Sequence, residues 1–274
     1  MAELRQNFLY PEIKKTDYHF GSKQVLGTII RPNGDWRDAL PPEESQKRNN
    51  VESSACAVES QQHAIATIQE AQHDLPNQNY SARFNLMFGG ANPSGSDPLR
   101  VAQSFRDEGL IPDYMLPFSD SIKSWNDFCS FFGGNKNECI AEGQVWRSKW
   151  EPRYDIVFEK QHALEYKYIK LRQALMYSPV PVSVYGVEDG RGSYMPKPVG
   201  VDDTHMVECV YVDGNNCAYV FDTYHPYLKK LPANYNFDFG MRWSVEKRTK
   251  AQQQISLITR LLYWLRELLK VTPA

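Results

Sequence analysis

The spacing of apolar residues changes along the chain, from a helical period in the first half to β-type runs in the second. Small and apolar side chains recur at helical spacing from Cys56 to Ile68, with no Gly or Pro among them. This pattern predicts a buried helix that ends before Pro76, with Ser53 or Ser54 as its N-cap. The same reasoning predicts further helices over 80–88, 98–108 and about 158–177.

β-Branched residues dominate three later segments, which are predicted as strands over 180–187, 206–212 and 217–221. The last two are separated by Asp213-Gly214-Asn215-Asn216, a sequence typical of a hairpin turn. Pairing Val212 with Cys217 across this turn would place His205 opposite Tyr224. Helices followed by strands predict an α+β fold.

Composition places the 274 residues among ordinary globular chains, with 42% hydrophobic and 23% charged residues. The length allows one large domain or two small ones. The pattern divides the chain into an irregular N-terminal segment over 1–40, a globular body over 41–245 and a C-terminal amphipathic helix over 246–274.

Charge and hydropathy exclude several classes of function. Lys and Arg number 31 against 33 Asp and Glu, so the chain lacks the basic excess expected of a nucleic-acid-binding protein. No apolar run reaches the length of a transmembrane segment, and no apolar stretch follows the N-terminal charges as in a signal peptide. We therefore expect a cytoplasmic or virion-associated protein. Five cysteines, an odd number at irregular spacing, argue against a disulfide scaffold.

Cys56 is the one cysteine predicted at the start of a helix. Free backbone N–H groups and the positive end of the helix dipole favour a thiolate there, and the thiolate is the nucleophilic form of cysteine. By position alone, a small buried residue on a packed helix is the more common case for cysteine.

The predicted hairpin supplies a base for this nucleophile. With Val212 opposite Cys217, the side chains of His205 and Asp222 lie on one face of the sheet as diagonal neighbours. Asp222 would then hold one ring nitrogen of His205 and leave the other free to exchange a proton. A register shift of one residue would separate the pair.

These residues give the chain a resemblance to papain-like cysteine peptidases of the divergent phage and bacterial type, over about residues 36–245. The order matches: a helix-start cysteine in Ser54-Ala55-Cys56-Ala57, a histidine in Thr204-His205-Met206-Val207, and an orienting residue with a following aromatic in Phe221-Asp222-Thr223-Tyr224. The helix over 97–108 and the Gly-Leu-Ile-Pro after it are also similar to that family.

The resemblance implies a papain-like α+β fold, with a helical half and a twisted antiparallel sheet on either side of a cleft. It implies a Cys56–His205–Asp222 triad covered by Tyr224, a protein or peptide substrate, and neither a cofactor nor a metal. The oxyanion-binding amide is expected from Gln46, ten residues before Cys56, or from Asn50, six before it.

The sequence departs from the family at the orienting residue, where papain-type enzymes more often have Asn. An Asp holds the same tautomer of the histidine, so Asn at position 222 is expected to keep much of the activity. Other functions of the same shell stay open: an acyl transferase or deamidase, or a structural protein of a virion-type assembly.

The C-terminal segment carries a wide apolar stripe that includes Leu257, Leu261, Leu265 and Leu268. The stripe fits docking on the chain's own core, self-association or attachment to a larger assembly, or a membrane-surface helix. We expect it to mediate assembly, since the body has elements enough for a core of its own.

Overall fold

The structure, a computed structural model, describes residues 8–14, 17–21, 27–90, 92–250 and 252–253. It has the predicted α+β architecture, with a helical half followed by a six-stranded antiparallel sheet. In the described part of the chain, no helix is long and apolar enough to cross a membrane.

The helical half begins after a short hairpin of β1 (Lys47–Arg48) and β2 (Val51–Glu52). Its central helix, α1 (Cys56–His73), is buried over its first fourteen residues and ends at Asp74, which adopts a left-handed conformation. The other elements are α2 (Ala82–Phe88), α3 (Pro98–Glu108), a 3₁₀ turn (Asp113–Met115), α4 (Trp125–Phe128) and α5 (Lys136–Lys149).

The sheet has the strand order β3-β8-β4-β5-β6-β7. Pro152 lies in β3, an edge strand, where a missing N–H leaves no ladder partner unsatisfied. The elements are β3 (Trp150–Phe158), α6 (Leu164–Leu175), β4 (Val180–Val184), β5 (His205–Val212), β6 (Ala218–Phe221), β7 (Leu228–Lys230) and β8 (Gly240–Lys247).

The sheet separates two hydrophobic cores. Helix α1 packs against β5 and β8 in one core, whereas α6 packs against β3, β4 and β5 in the other. Adjacent β5 residues serve different cores: Met206 belongs to the α1 core and Val207 to the α6 core. This alternation is the strand periodicity of two, applied to a sheet covered on both faces.

The β5–β6 hairpin differs from the predicted register at its turn and agrees with it at the other end. Val212 pairs with Ala218 rather than with Cys217, because the turn contains five residues. A β-bulge at Val210 then shifts the pairing by one residue, so that Glu208 lies opposite Phe221. The bulge restores the register that brings His205 and Asp222 together.

Two other predictions about local structure are wrong. The helix predicted over about 158–177 covers only Leu164–Leu175, and Phe158 ends the unpredicted strand β3. Neither Ser53 nor Ser54 is the N-cap of α1; Ala55 takes that position without a side-chain cap. Ser53 Oγ instead accepts a hydrogen bond from the Ala55 N–H.

The described part of the N-terminal segment forms no helix and no named strand, but it is integrated into the body. Trp36 is fully buried, and its indole N–H donates to the Leu175 carbonyl at 2.7 Å. Its backbone N–H donates to Val210, the bulged residue of β5. The segment therefore contributes a core residue to the body.

The C-terminal helix predicted over 246–274 falls mostly outside the described residues. At its start the prediction is wrong, because Glu246 and Lys247 belong to β8. The guanidinium of Arg248 donates to the carbonyls of Arg147 and Trp150, so the chain stays on the body just past the strand.

We expect Trp36→Ala to lower the free energy of unfolding by about 3–5 kcal/mol, since it empties a filled core position and leaves the Leu175 carbonyl unpaired. Urea denaturation measures the change. The control Asp38→Ala removes only an exposed ion pair with Arg31 and should cost about 1 kcal/mol or less. Equal losses for the two variants would show that residues 27–40 are not part of the core.

Candidate active site

Cys56 is the first residue of α1 and is fully buried. The chain enters the helix through Ser54, whose left-handed φ of 51° turns the backbone toward the sheet. Ser54 Oγ donates to the Pro93 carbonyl at 2.8 Å, which fixes this turn against the loop before α3. The cysteine thus lies at the helix start, as predicted, on a backbone path that is held by side-chain contacts.

The start of β5 lies directly against the Cys56 thiol, which accepts a hydrogen bond from the Met206 backbone N–H. The preceding residue, His205, is also fully buried, and its Nε2 lies 2.8 Å from Asp222 Oδ1. The other ring nitrogen, Nδ1, has no hydrogen-bond partner in the part of the chain that the structure describes. This nitrogen is the one available to exchange a proton.

Asp222 is surrounded by donors. Its Oδ1 also accepts from the Thr223 backbone N–H at 2.7 Å, while Oδ2 accepts from Tyr194 Oη at 2.5 Å and lies 2.8 Å from Lys229 Nζ. Burial acts to raise the pKa of this carboxyl, but the charges and hydrogen bonds of His205 and Lys229 outweigh it and hold the pKa well below its usual range. Asp222 is therefore an anion.

Gln46 is fully buried and connects the two sides of this site. Its carbonyl Oε1 accepts from Thr223 Oγ1 at 2.7 Å, and its Nε2 donates to Glu52 Oε1 at 2.8 Å and to Tyr224 Oη at 2.7 Å. The Tyr224 ring lies over His205, with 5.4 Å between the ring centroids. Thr223 sets which way the Gln46 amide points.

Asn50 lies elsewhere. It is exposed in the β1–β2 turn, where it adopts a left-handed φ of 63°. Of the two amides considered for the oxyanion, the structure brings Gln46 to the site and leaves Asn50 at the surface.

The environment of Cys56 opposes ionisation in this form of the protein. Burial raises the pKa of its thiol, and the nearby carboxyl groups of Glu59, Glu52 and Asp222 act in the same direction; only the Met206 N–H lowers it. The direction is opposite to the one expected from the helix start alone. Burial therefore disfavours the thiolate in this form of the protein.

An N-terminal stretch bridges the two halves of the molecule beside the site. The Phe8 backbone N–H donates to the carbonyl of Thr204, the residue before His205, at 3.0 Å. The Leu9 N–H donates to Ser96, in the loop before α3, at 3.3 Å. The Phe8 ring is buried near Phe239. Residues 8 and 9 thus connect the His205 side to the helical side.

Three residues of the site have no signal in the sequence, namely Glu52, Tyr194 and Lys229, whereas Thr223 appears there only as a member of the motif around Asp222. Glu52 accepts from both Gln46 Nε2 and the Ser54 N–H, close to the helix start. Tyr194 reaches Asp222 from a long loop, and Lys229 from a short edge strand in which only alternation separates it from the exposed Lys230. The loop that contains Tyr194 lacks a regular pattern of apolar and polar residues, and the three-residue strand that contains Lys229 is too short for such a pattern to show which polar side chain points inward.

A cavity on the surface of the sheet does not contain this site. It has a volume of about 590 Å³ and lies along β3 and the end of β8. Five arginines line it together with acidic partners such as Glu151 and Asp155. Cys56, His205 and Asp222 are all absent from its lining, in keeping with their burial.

Solved structures that share this architecture include cysteine proteases. Xylellain, a cysteine protease from Xylella fastidiosa, superposes with a TM-score of 0.62 at 16% identity, over 91% of this chain and 99% of its own. The chain has a papain-like fold.

Two further papain-like structures agree. Procathepsin B S9 from Trypanosoma congolense gives a TM-score of 0.57 at 12% identity, covering 89% of this chain and 87% of that one. Bromelain from Ananas comosus gives 0.54 at 13% identity, covering 77% and 98%. No protein-family model and no curated protein sequence matches the chain. The papain-like likeness is therefore one of fold, as the resemblance in sequence order implied.

Glu59, one turn after Cys56, allows a test of the electrostatics of the candidate site. Burial raises the pKa of its carboxyl well above the ordinary value, and Glu44, Glu52 and Asp222 raise it further. The folded state then binds more protons than the unfolded state above about pH 4.3, so Glu59 reduces stability as the pH rises. We expect Glu59→Gln to raise the melting temperature at pH 8 and to have little effect near pH 4.

The exposed Glu165 in α6 is the matched control, and Glu165→Gln should change the melting temperature by little at either pH. An effect of Glu59→Gln that is the same at both pH values would contradict the raised pKa of Glu59.

Proposed function

We propose that this protein is a cysteine peptidase with Cys56 as nucleophile, His205 as general base and acid, and Asp222 as the residue that orients His205. The hydrogen bond from His205 to Asp222, next to the amide that contacts the Cys56 thiol, is the observation that carries the proposal. The papain-like fold supports the proposal, since the order of a helix-start cysteine, a histidine and an orienting residue is the one that the sequence resemblance implies.

The reaction follows from these positions. His205 takes the thiol proton on Nδ1, and the Cys56 thiolate attacks the peptide carbonyl to form the S–C bond. The protonated histidine then gives its proton to the leaving amine as the C–N bond breaks, and a thioester remains. Water, deprotonated by His205, hydrolyses the thioester and regenerates the thiol. Asp222 holds the imidazole tautomer throughout.

Gln46 and the Cys56 backbone amide are assigned to the oxyanion. Both N–H bonds of the Gln46 amide are engaged, one with Glu52 and one with Tyr224, so one of them must be released when substrate binds. Thr223 keeps the carbonyl end of the amide turned away, which leaves the NH₂ group on the side of Glu52 and the helix start. An amide that is already oriented is the preorganised donor that oxyanion stabilisation requires.

Cys56, His205 and Asp222 are all buried, which supports a form that is closed to substrate. Phe8 and Leu9 join Thr204 to Ser96, so we assign them to the cover of the site. Substrate access then requires residues 8 and 9 to leave these two carbonyls. Their departure would also admit water and reduce the burial that raises the pKa of the Cys56 thiol.

The direct test is covalent labelling by an epoxysuccinyl electrophile, which requires both a nucleophilic thiolate and a peptide-binding cleft. We expect labelling at Cys56 alone, mapped by mass spectrometry, together with cleavage of a peptide library. His205→Asn should reduce both by at least about 100-fold, the usual contribution of a positioned base.

Cys217→Ser, a change at a cysteine in the hairpin turn outside the site, is the control and should leave labelling unchanged. Label spread over the other cysteines would contradict the assignment of the nucleophile. Labelling at Cys56 without peptide cleavage would favour an acyl transferase or deamidase.

The cover has its own test. Phe8→Ala removes the buried ring near Phe239 and weakens the hold of the segment, so Cys56 labelling should become several-fold faster. Leu9→Ala changes an exposed neighbour and is the matched control. Equal rates for the two variants, with both proteins folded, would remove residues 8 and 9 from the cover.

A further inference from the structure

A buried lysine lies on the far side of the orienting carboxylate. Lys229 is 1% exposed, and its Nζ lies 2.8 Å from Asp222 Oδ2. The same ammonium donates to the carbonyls of Tyr224 and, at 2.7 Å, Pro226, so three acceptors match its three hydrogens. The Tyr194 ring centroid lies 5.5 Å away. A charge this deep in the protein, fully paired, has a fixed position relative to His205.

The position of the Lys229 ammonium matters for the balance of charge around Cys56 and His205. Asp222 alone would add one buried negative charge that opposes ionisation of the Cys56 thiol, which burial already disfavours. The Lys229 ammonium cancels that charge. Cys56, His205, Asp222 and Lys229 are then neutral as a set when the thiol is protonated, and stay neutral when its proton moves to His205. Buried charges are tolerated when they are compensated in this way.

We propose that Lys229 is a positioning residue that neutralises Asp222, so that the carboxylate orients His205 without opposing formation of the Cys56 thiolate. This inference rests on the proposed triad. It reverses the expectation from the sequence that Asn at position 222 keeps much of the activity. In this site, Asp222→Asn would leave the Lys229 ammonium buried without its counter-ion.

The test uses three variants of the full chain: Lys229→Met, Asp222→Asn, and the two changes combined. Methionine keeps the length of the lysine side chain without its charge. For each variant, the rate of Cys56 alkylation by iodoacetamide is followed against pH by mass spectrometry, and the pH of half-maximal rate is compared with that of the unchanged protein. The midpoint reports the ionisation of the thiol and does not require peptide cleavage.

The two single changes should move the midpoint in opposite directions. Lys229→Met leaves Asp222 uncompensated and should raise it by about one pH unit, whereas Asp222→Asn leaves a free positive charge and should lower it by about as much. The combined variant has no net change of charge, and its midpoint should return to within a few tenths of a pH unit of the original.

Two controls separate charge from structure. Lys230→Met removes the neighbouring exposed lysine, which pairs with Asp213, and should leave the midpoint unchanged. Cys209, a buried cysteine of β5 whose pKa burial raises to about 12, is labelled only when the body opens and reports unfolding in every sample.

The outcomes decide between the readings. Opposite shifts that cancel in the combined variant establish the compensation, as does a combined variant that folds when both single variants do not. The proposal would be overturned if both single variants shifted the midpoint in the same direction, if neither shifted it, or if the shifts added in the combined variant. It would also be overturned if the combined variant failed to fold while Lys230→Met folded. If the unchanged protein cleaves no peptide but the variants show the cancelling shifts, the peptidase proposal is refuted and the role of Lys229 stands.

Discussion

The candidate site depends on the register between β5 and β6. His205 begins one strand and Asp222 follows the other, so a shift of one residue would turn their side chains to opposite faces. The five-residue turn introduces such a shift, and the bulge at Val210 removes it before the pairing reaches Glu208 and Phe221. The N–H of Trp36 donates to the carbonyl of Val210, so a buried residue of the N-terminal segment contacts the bulge directly. The N-terminal segment therefore helps to hold the bulge on which the register of the β5–β6 hairpin depends.

The second constraint is the cost of placing ionisable groups in an interior without bulk water. Each group of the site meets this cost in a different way. Asp222 stays ionised because donors surround both oxygens and Lys229 supplies a counter-charge. Glu59, without a cation, has a raised pKa, and the Cys56 thiol likewise resists ionisation. Asp222 is thus a stabilised anion, whereas Glu59 and Cys56 have raised pKa values, so differences in environment separate the ionisation of neighbouring acidic groups.

Sequence reasoning reached the parts of this site that local patterns encode. The helix that starts at Cys56 and the hairpin with His205 and Asp222 follow from the spacing of apolar residues and from Asp213-Gly214, and the α+β fold follows from their order. Strand β3 was not predicted because it contains Pro152, and a proline in a sequence normally argues against a strand. An edge strand tolerates proline. Lys229 and Tyr194 approach Asp222 from segments distant in the chain, and only the assembled sheet brings them there. Long-range compensation of charge has no local signature.

Closure and chemistry are linked in this arrangement through solvation. Residues 8 and 9 hold the two halves together at Thr204 and Ser96, next to a thiol whose pKa is raised first of all by burial. Opening the cover would hydrate Cys56 and reduce the burial that raises the pKa of its thiol. The Asp222–Lys229 pair lies on the other side of His205, fully buried and held by hydrogen bonds within the sheet half of the protein. In the proposed mechanism, one side of His205 changes its exposure while the other keeps its charge balance, so that access and ionisation would rise together without loss of the orientation of His205.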